Sequence, residues 1–139
     1  MAEEREIRPS EDDWAEAMAE YAKDYDLLAG MELGAVPLVV ALSLETKIPY
    51  VIIRKEKREH GTGKQIEGGE VKNKRVLLIE DVTTSGGSVI KSINILRENK
   101  AIVEEVVTVV DREAGAEEKL QELDVSFIPL LSVSEIMKK

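Results

Sequence analysis

The sequence predicts an α/β protein built on a mostly parallel, Rossmann-like sheet that is doubly covered by helices. Three observations predict it. Short apolar runs alternate along the chain with segments of helical period. Runs such as "VLLI" at 76–79 are continuously apolar, as strands buried on both faces are. The composition, 43% hydrophobic and 34% charged over 139 residues, is that of one globular domain, 1–139, able to bury roughly two-thirds of its unfolded surface.

Each element has its own signal. "SEDDWAEAMAEYAKDY" reads as a helix within a short N-terminal helical segment, 1–25. Ser10 is its cap, Asp12 and Asp13 suit its first turn, and Trp14, Met18 and Tyr21 recur at helical spacing as core candidates. "DLLAG" is a short buried strand. "VPLVVALSLETK" is apolar nearly all round, as a helix packed on a sheet must be. "IPYVIIRK" is a strand, whereas residues 54–70 are too polar and Gly-rich to form packed structure. "RVLLIED" is a strand and "GSVIKSINILREN" a helix with Val89, Ile93 and Leu96 on one face. "AIVEEVVTVVDRE", "AEEKLQELD" and "VSFIPL" continue as strand, helix and strand, before a short serine-capped helix, "SVSEIMKK".

Ligands of such sheets bind outside the carboxyl ends of the strands. "GMELGA", "RKEKREHGTGK", "EDVTTSGG" and "DREAGA" all follow strands, so all belong on one rim. In "VLLIEDVTTSGGS" the strand is expected to stop after Ile79, because paired ionised carboxylates, Glu80 and Asp81, are costly to bury. Thr83, Thr84 and Ser85 then supply hydroxyls. Gly86 and Gly87 let a ligand approach the backbone, and a helix starting near Ser88 adds its positive end. The carboxylates could accept hydrogen bonds from sugar hydroxyls or face a magnesium ion, directly or through water. Strand, two acids and phosphate loop together read as a ribose 5-phosphate site. The loop lacks both the glycine-to-lysine spacing of a Walker loop and the Gly-x-Gly-x-x-Gly dinucleotide pattern.

Charge narrows the partner. The net charge of -9 speaks against nucleic acid as a partner, since that binding rests on Lys and Arg neutralising phosphates. Residues 54–64 nevertheless hold five Lys or Arg against two acids, plus the single histidine, His60, which suits a small anionic ligand. No apolar run approaches the ~20 residues that span a bilayer, and "MAEEREIRPSEDDW" has no secretory apolar core. The sequence has no cysteine. With no membrane partner expected, these features fit a cytoplasmic protein.

The four rim segments carry a resemblance. "VLLIEDVTTSGGS" resembles the phosphoribosyl-pyrophosphate (PRPP) motif of type I phosphoribosyltransferases. "RKEKREHGTGK" looks like the mobile catalytic loop of one branch, orotate phosphoribosyltransferase. "AGMELGAVPLVVALSLETKIPYVIIRKE" and "VVDREAGA" are similar to that branch's flanking segments, in the same order, so the resemblance covers residues 26–139. It implies the type I phosphoribosyltransferase fold and a magnesium-dependent transfer of phosphoribosyl from PRPP to orotate in pyrimidine synthesis. It implies that Glu80 and Asp81 hold the ribose hydroxyls, and that Val82, Thr83, Thr84, Ser85, Gly86, Gly87 and Ser88 surround the 5'-phosphate. Glu32, Leu33, Gly34 and Ala35 would form the pyrophosphate-side loop, and Thr84 and Arg112 would contact orotate. Arg54, Lys55, Arg58 and His60 would close over the pyrophosphate, with Arg58, His60 and Asp81 carrying catalysis. Magnesium would be held mainly by PRPP, near Glu80 and Asp81, without direct protein ligands. A homodimer is implied, because in the family the loop reaches into the neighbouring subunit's site.

Two departures shape the expectation. Arg58 stands where the family usually has lysine; it keeps the charge but not the shape. The N-terminal hood that covers the base in orotate enzymes is shortened or missing here, so the base pocket is open, completed by a partner, or lost. A regulator of the same fold that binds PRPP or a nucleotide without catalysis, and a transferase for purine bases, are the competing readings.

Overall fold

The computed structural model describes residues 11–56 and 64–137. Ser10 and the segment 57–63, with Lys57, Arg58 and His60, lie outside the described residues. Among the described residues the chain runs α1 (Glu11–Ala22), β1 (Leu27–Met31), α2 (Val36–Thr46), β2 (Tyr50–Ile53) and β3 (Ile66–Glu67). It continues with β4 (Arg75–Thr83), α3 (Gly87–Glu98), β5 (Ile102–Asp111), α4 (Ala116–Glu122), β6 (Ser126–Ser132) and α5 (Val133–Met137). The sheet order is β3-β2-β1-β4-β5-β6. All neighbours are parallel except the β2–β3 pair.

The sheet is covered on both faces, and strand periodicity divides the core between them. Val76 and Leu78 of β4 join Val89, Ile93 and Leu96 of α3 and Leu120 of α4 in one cluster. Leu77 and Ile79 join Leu38, Val39 and Leu42 of α2 and Ala15, Met18 and Ala22 of α1 in the other. That is why β4 is apolar at every position from Val76 to Ile79. Gly30 is the point of closest approach, since a Cβ there would meet Val39 Cγ2 at 2.6 Å and Ala35 Cβ at 2.9 Å. The helix stops follow local chemistry. Lys47 ends α2 in the left-handed region (φ 66°), its N–H donating to Ser43 O. Ser132 caps α5: its Oγ accepts from Glu135 N–H at 3.4 Å and donates to Glu135 Oε1 at 3.0 Å.

Three expectations need correction. The stretch 54–70 is not wholly outside packed structure, because β3 forms a short antiparallel edge on β2. Backbone and side chain both hold it: Arg54 N–H donates to Gln65 O at 2.7 Å, and Arg54 Nε donates to Glu67 Oε1 at 2.8 Å. In α1 the buried stripe is Ala15, Met18 and Ala22. Met18 is buried as expected and Trp14 is half-buried against the same cluster, but Tyr21 is exposed, because Ala22 rather than Tyr21 continues the inward stripe. Finally β4 does not stop at Ile79. It runs on through both acids to Thr83.

Candidate active site

The carboxyl ends of β1, β4 and β5 set the site. β4 pairs with β5 as far as Thr83 with Asp111, which carries Glu80 and Asp81 beyond the apolar core on a rigid strand rather than a loop. Glu80 is buried at 8% exposure. Burial, and then the neighbouring Asp81 side chain, push its carboxyl up to about 8, although Asp81 N–H donates to Glu80 Oε1 at 3.0 Å and partly offsets them. The shift favours the protonated form of Glu80, which lowers the cost of burying it beside the half-buried Asp81.

Asp81 is more accessible and reaches across the rim to the segment after β1. A Cβ built on Gly34 would lie 2.5 Å from Asp81 Oδ2 and 3.1 Å from Oδ1, so the carboxylate lies against bare backbone. The preceding Glu32–Leu33 peptide is cis. Glu32 Oε1 accepts the Lys55 N–H at 2.9 Å, joining the loop after β1 to the start of the basic stretch. A hollow of ≈230 Å³ lies between these parts, lined by Glu32, Gly34, Lys55, Glu80, Asp81 and Ser88 among others. A second hollow, also ≈230 Å³, adjoins Asp81 and Gly34 and is lined by Trp14, Pro37, Leu38, Val82, Val109 and Val110. Larger hollows, such as the ≈480 Å³ one along Glu117, Gln121 and Phe127, contain no member of the strand-end constellation. Chemistry, not volume, locates the site.

The β4–α3 turn opens onto the N-terminus of α3. Gly86 sits at φ 94°, a conformation that favours glycine, and accepts the first helical bond from Ile90 N–H at 2.8 Å. No acidic residue occupies the first turn of α3, so its positive end is not neutralised from within. Thr84, Ser85, Gly87 and Ser88 are exposed, as a ligand-facing loop requires.

The rim brings most of the expected residues together, but not all in the expected way. Thr83 does not present its hydroxyl to the rim: it is buried at 1% exposure and donates to Thr108 Oγ1 at 2.9 Å. Its carbonyl accepts the Arg112 N–H at 2.9 Å, which fastens the end of β5 beside the β4–α3 turn. Val82 is exposed and borders both hollows. Arg54 pairs with Glu67 on the sheet edge, while Lys55 lines the Asp81 hollow. Arg58 and His60 fall outside the described residues. Sequence reasoning missed Lys91, whose Nζ donates to Lys55 O at 2.6 Å and holds the root of the basic stretch. Only its place one turn into α3 hinted at that role. It also missed Thr108, a polar residue in an otherwise apolar strand. Among the described residues no group of three or more His, Cys, Asp or Glu could hold a metal ion.

A mostly parallel sheet ends at β4 in two acids, a small-residue turn and a helix N-terminus, and the chain that builds it belongs to the phosphoribosyltransferase family. Residues 5–133 match the phosphoribosyl transferase domain. Within the family it is similar to orotate phosphoribosyltransferases. It is 56% identical to that of Pyrococcus horikoshii over 115 residues, 83% of this chain and 62% of the relative. It is 46% identical to that of Methanocaldococcus jannaschii over 122 residues, 87% of this chain and 69% of the relative. The Mycobacterium tuberculosis orotate phosphoribosyltransferase in complex with PRPP superposes with a TM-score of 0.78 at 29% identity, covering 91% of this chain and 75% of that one. The fold is thus the type I phosphoribosyltransferase fold. The chain spans about three-fifths of the length of the Pyrococcus relative.

Proposed function

We propose that this chain transfers the phosphoribosyl group of PRPP to orotate, releasing pyrophosphate and forming orotidine 5'-monophosphate for pyrimidine synthesis. The observation that carries the reading is the position of Asp81, against Gly34 on one side and bordering both hollows. A ribose held there by its hydroxyls has room for phosphates toward Glu32, Lys55 and Ser88, and for a ring toward Val82 and Val110. The 5'-phosphate takes the amides and hydroxyls of Thr84, Ser85, Gly86, Gly87 and Ser88.

Breaking the anomeric bond leaves positive charge on the ribose and negative charge on the departing pyrophosphate. The residues present stabilise both without a protein nucleophile. Asp81 lies near the sugar and Lys55 near the leaving group, and the family resemblance assigns Arg58 and His60 as further cations for the pyrophosphate. Thr84 and Arg112 orient orotate. Asp81 and the titratable Glu80 fit a magnesium ion brought in by the donor's phosphates, because two carboxyl groups are too few to retain it alone; when bound, the ion supplies charge neutralisation on the pyrophosphate. A homodimer sharing flaps and a cytoplasmic location complete the proposal, supported by the family resemblance and the cysteine-free sequence.

The test is pyrophosphate release from PRPP and magnesium with orotate, adenine or hypoxanthine as acceptor. Turnover with orotate alone is expected. Turnover with a purine alone would assign a purine transferase, and tight PRPP binding without turnover on any base would assign a regulator.

A further inference from the structure

We propose that Trp14 forms one wall of the acceptor-base site, its indole stacking on the ring that receives the phosphoribosyl group. The inference rests on the transferase reading and adds a specificity-determining residue to it. Two hollows of equal size meet at Asp81, and their linings differ in kind. One is bordered by Glu32, Lys55, Glu80 and Ser88, groups that interact with phosphates and hydroxyls. The other is bordered by Trp14, Pro37, Leu38, Val82 and Val110, with Asp81 as its one charged residue.

A sugar phosphate needs the first kind of surface and a flat heterocycle needs the second. The size agrees. Drug-sized ligands occupy roughly 300–1,000 Å³, whereas ≈230 Å³ suits a single substituted ring. Position agrees as well, because a ribose at Asp81 directs its two anomeric partners to the two sides of that residue.

Core packing accounts for only part of Trp14. Ala15, Met18 and Ala22, at 1%, 0% and 0% exposure, sit inside the core cluster, and Trp14 packs against its edge. Trp14, in the first turn of the same helix, stays half-buried with part of its surface open to the hollow. An aromatic face at that position gives a base a stacking partner that sequence-tolerant nucleotide sites commonly use.

Trp14 is the chain's only tryptophan, so its emission reports the site directly. The probes are orotidine 5'-monophosphate, which carries the ring, and ribose 5-phosphate, which lacks it. Calorimetry measures binding and tryptophan fluorescence reads the contact. In the full chain both probes are expected to bind, and only orotidine 5'-monophosphate should change the emission, saturably. Trp14→Ala is expected to weaken the ring-bearing probe roughly tenfold or more while leaving ribose 5-phosphate unchanged, and Trp14→Phe to restore most of the loss. Orotidine 5'-monophosphate that binds without altering the emission, or equally well to Trp14→Phe and Trp14→Ala, overturns the proposal and leaves the transferase reading standing. Failure of both probes to bind the wild-type chain overturns the two together. Should Trp14→Ala not fold, the wild-type emission and the Trp14→Phe affinity still decide.

Discussion

Asp81 Oδ2 lies so close to Gly34 that a Cβ there would be 2.5 Å away, so the Asp81 carboxylate and the loop after β1 fit in this arrangement because position 34 has no side chain. Gly34→Ala must displace Asp81, since the neighbour that would have to give is the carboxylate itself. Gly34 is exposed, so the melting temperature should change little. Losing one well-placed charged hydrogen bond costs roughly 1.5–3 kcal/mol, or about 10- to 150-fold in affinity. PRPP affinity measured by calorimetry with magnesium should fall by that order. Wild-type affinity in Gly34→Ala would show that the contact does not position Asp81 for the donor.

Glu80 should make stability depend on pH. Its folded carboxyl titrates near 8, against an ordinary value of 4.5, so the folded chain holds a proton that the unfolded chain releases. Below about 4.5 both states are protonated and Glu80 contributes no pH dependence. From about 4.5 to about 8 stability falls as pH rises, and above 8 the loss is complete. Glu80→Gln removes this slope. Its melting temperature relative to wild type should therefore rise steadily from pH 5 to pH 8. A difference that stays flat across that window would refute a raised Glu80.

Thr108 is expected to matter although it is fully buried and beneath the rim. It accepts the Thr83 hydroxyl at 2.9 Å, and its own hydroxyl lies 3.4 Å from Asp81 O and 3.3 Å from Val110 O. Thr108→Val keeps the shape but strands Thr83 without its partner, which costs roughly 1–3 kcal/mol. Denaturant unfolding should show that loss. Thr108→Ser should recover most of it, because the hydroxyl pair is retained. Equal losses in the two variants would mean that methyl packing, not the hydrogen bond, is what counts.

Gly86→Ala tests the β4–α3 turn. The φ of 94° is strained for any residue with a Cβ, and that Cβ would approach Ala116 Cβ at 3.3 Å. A cost of roughly 1–2 kcal/mol follows for the backbone alone. Ribose 5-phosphate binding should weaken together with thermal stability, whereas Gly87→Ala, with open space around its Cβ position, should spare stability. Comparable melting temperatures for the two alanine variants would argue against a strained Gly86.

Much of the architecture was legible because local pattern carries it. The apolar run from Val76 to Ile79 announced a strand buried on both sides, and Gly86 before Ser88 announced a turn into a helix. What failed were the positions where neighbours far along the chain decide. The segment 54–70 looked too polar to pack, yet Arg54 and Glu67 satisfy one another across an edge, a pairing that no local periodicity encodes. Tyr21 looked like core because it is large and at helical spacing, but α1 turns Ala15, Met18 and Ala22 toward α2 and leaves Tyr21 exposed.

The order and kind of the elements apart from β3, the acidic pair in β4 and the small-residue loop after it were determined by the sequence alone. Those features depend on residues adjacent in the chain, where steric preference and hydrophobic period act directly. The tertiary structure decided that Glu80 is buried with its carboxyl pushed up, that Thr83 turns inward to Thr108, and that Asp81 lies against Gly34 between two hollows. Each of these depends on what a distant strand or loop places within a few ångströms, because burial and hydrogen-bond partners are properties of packing.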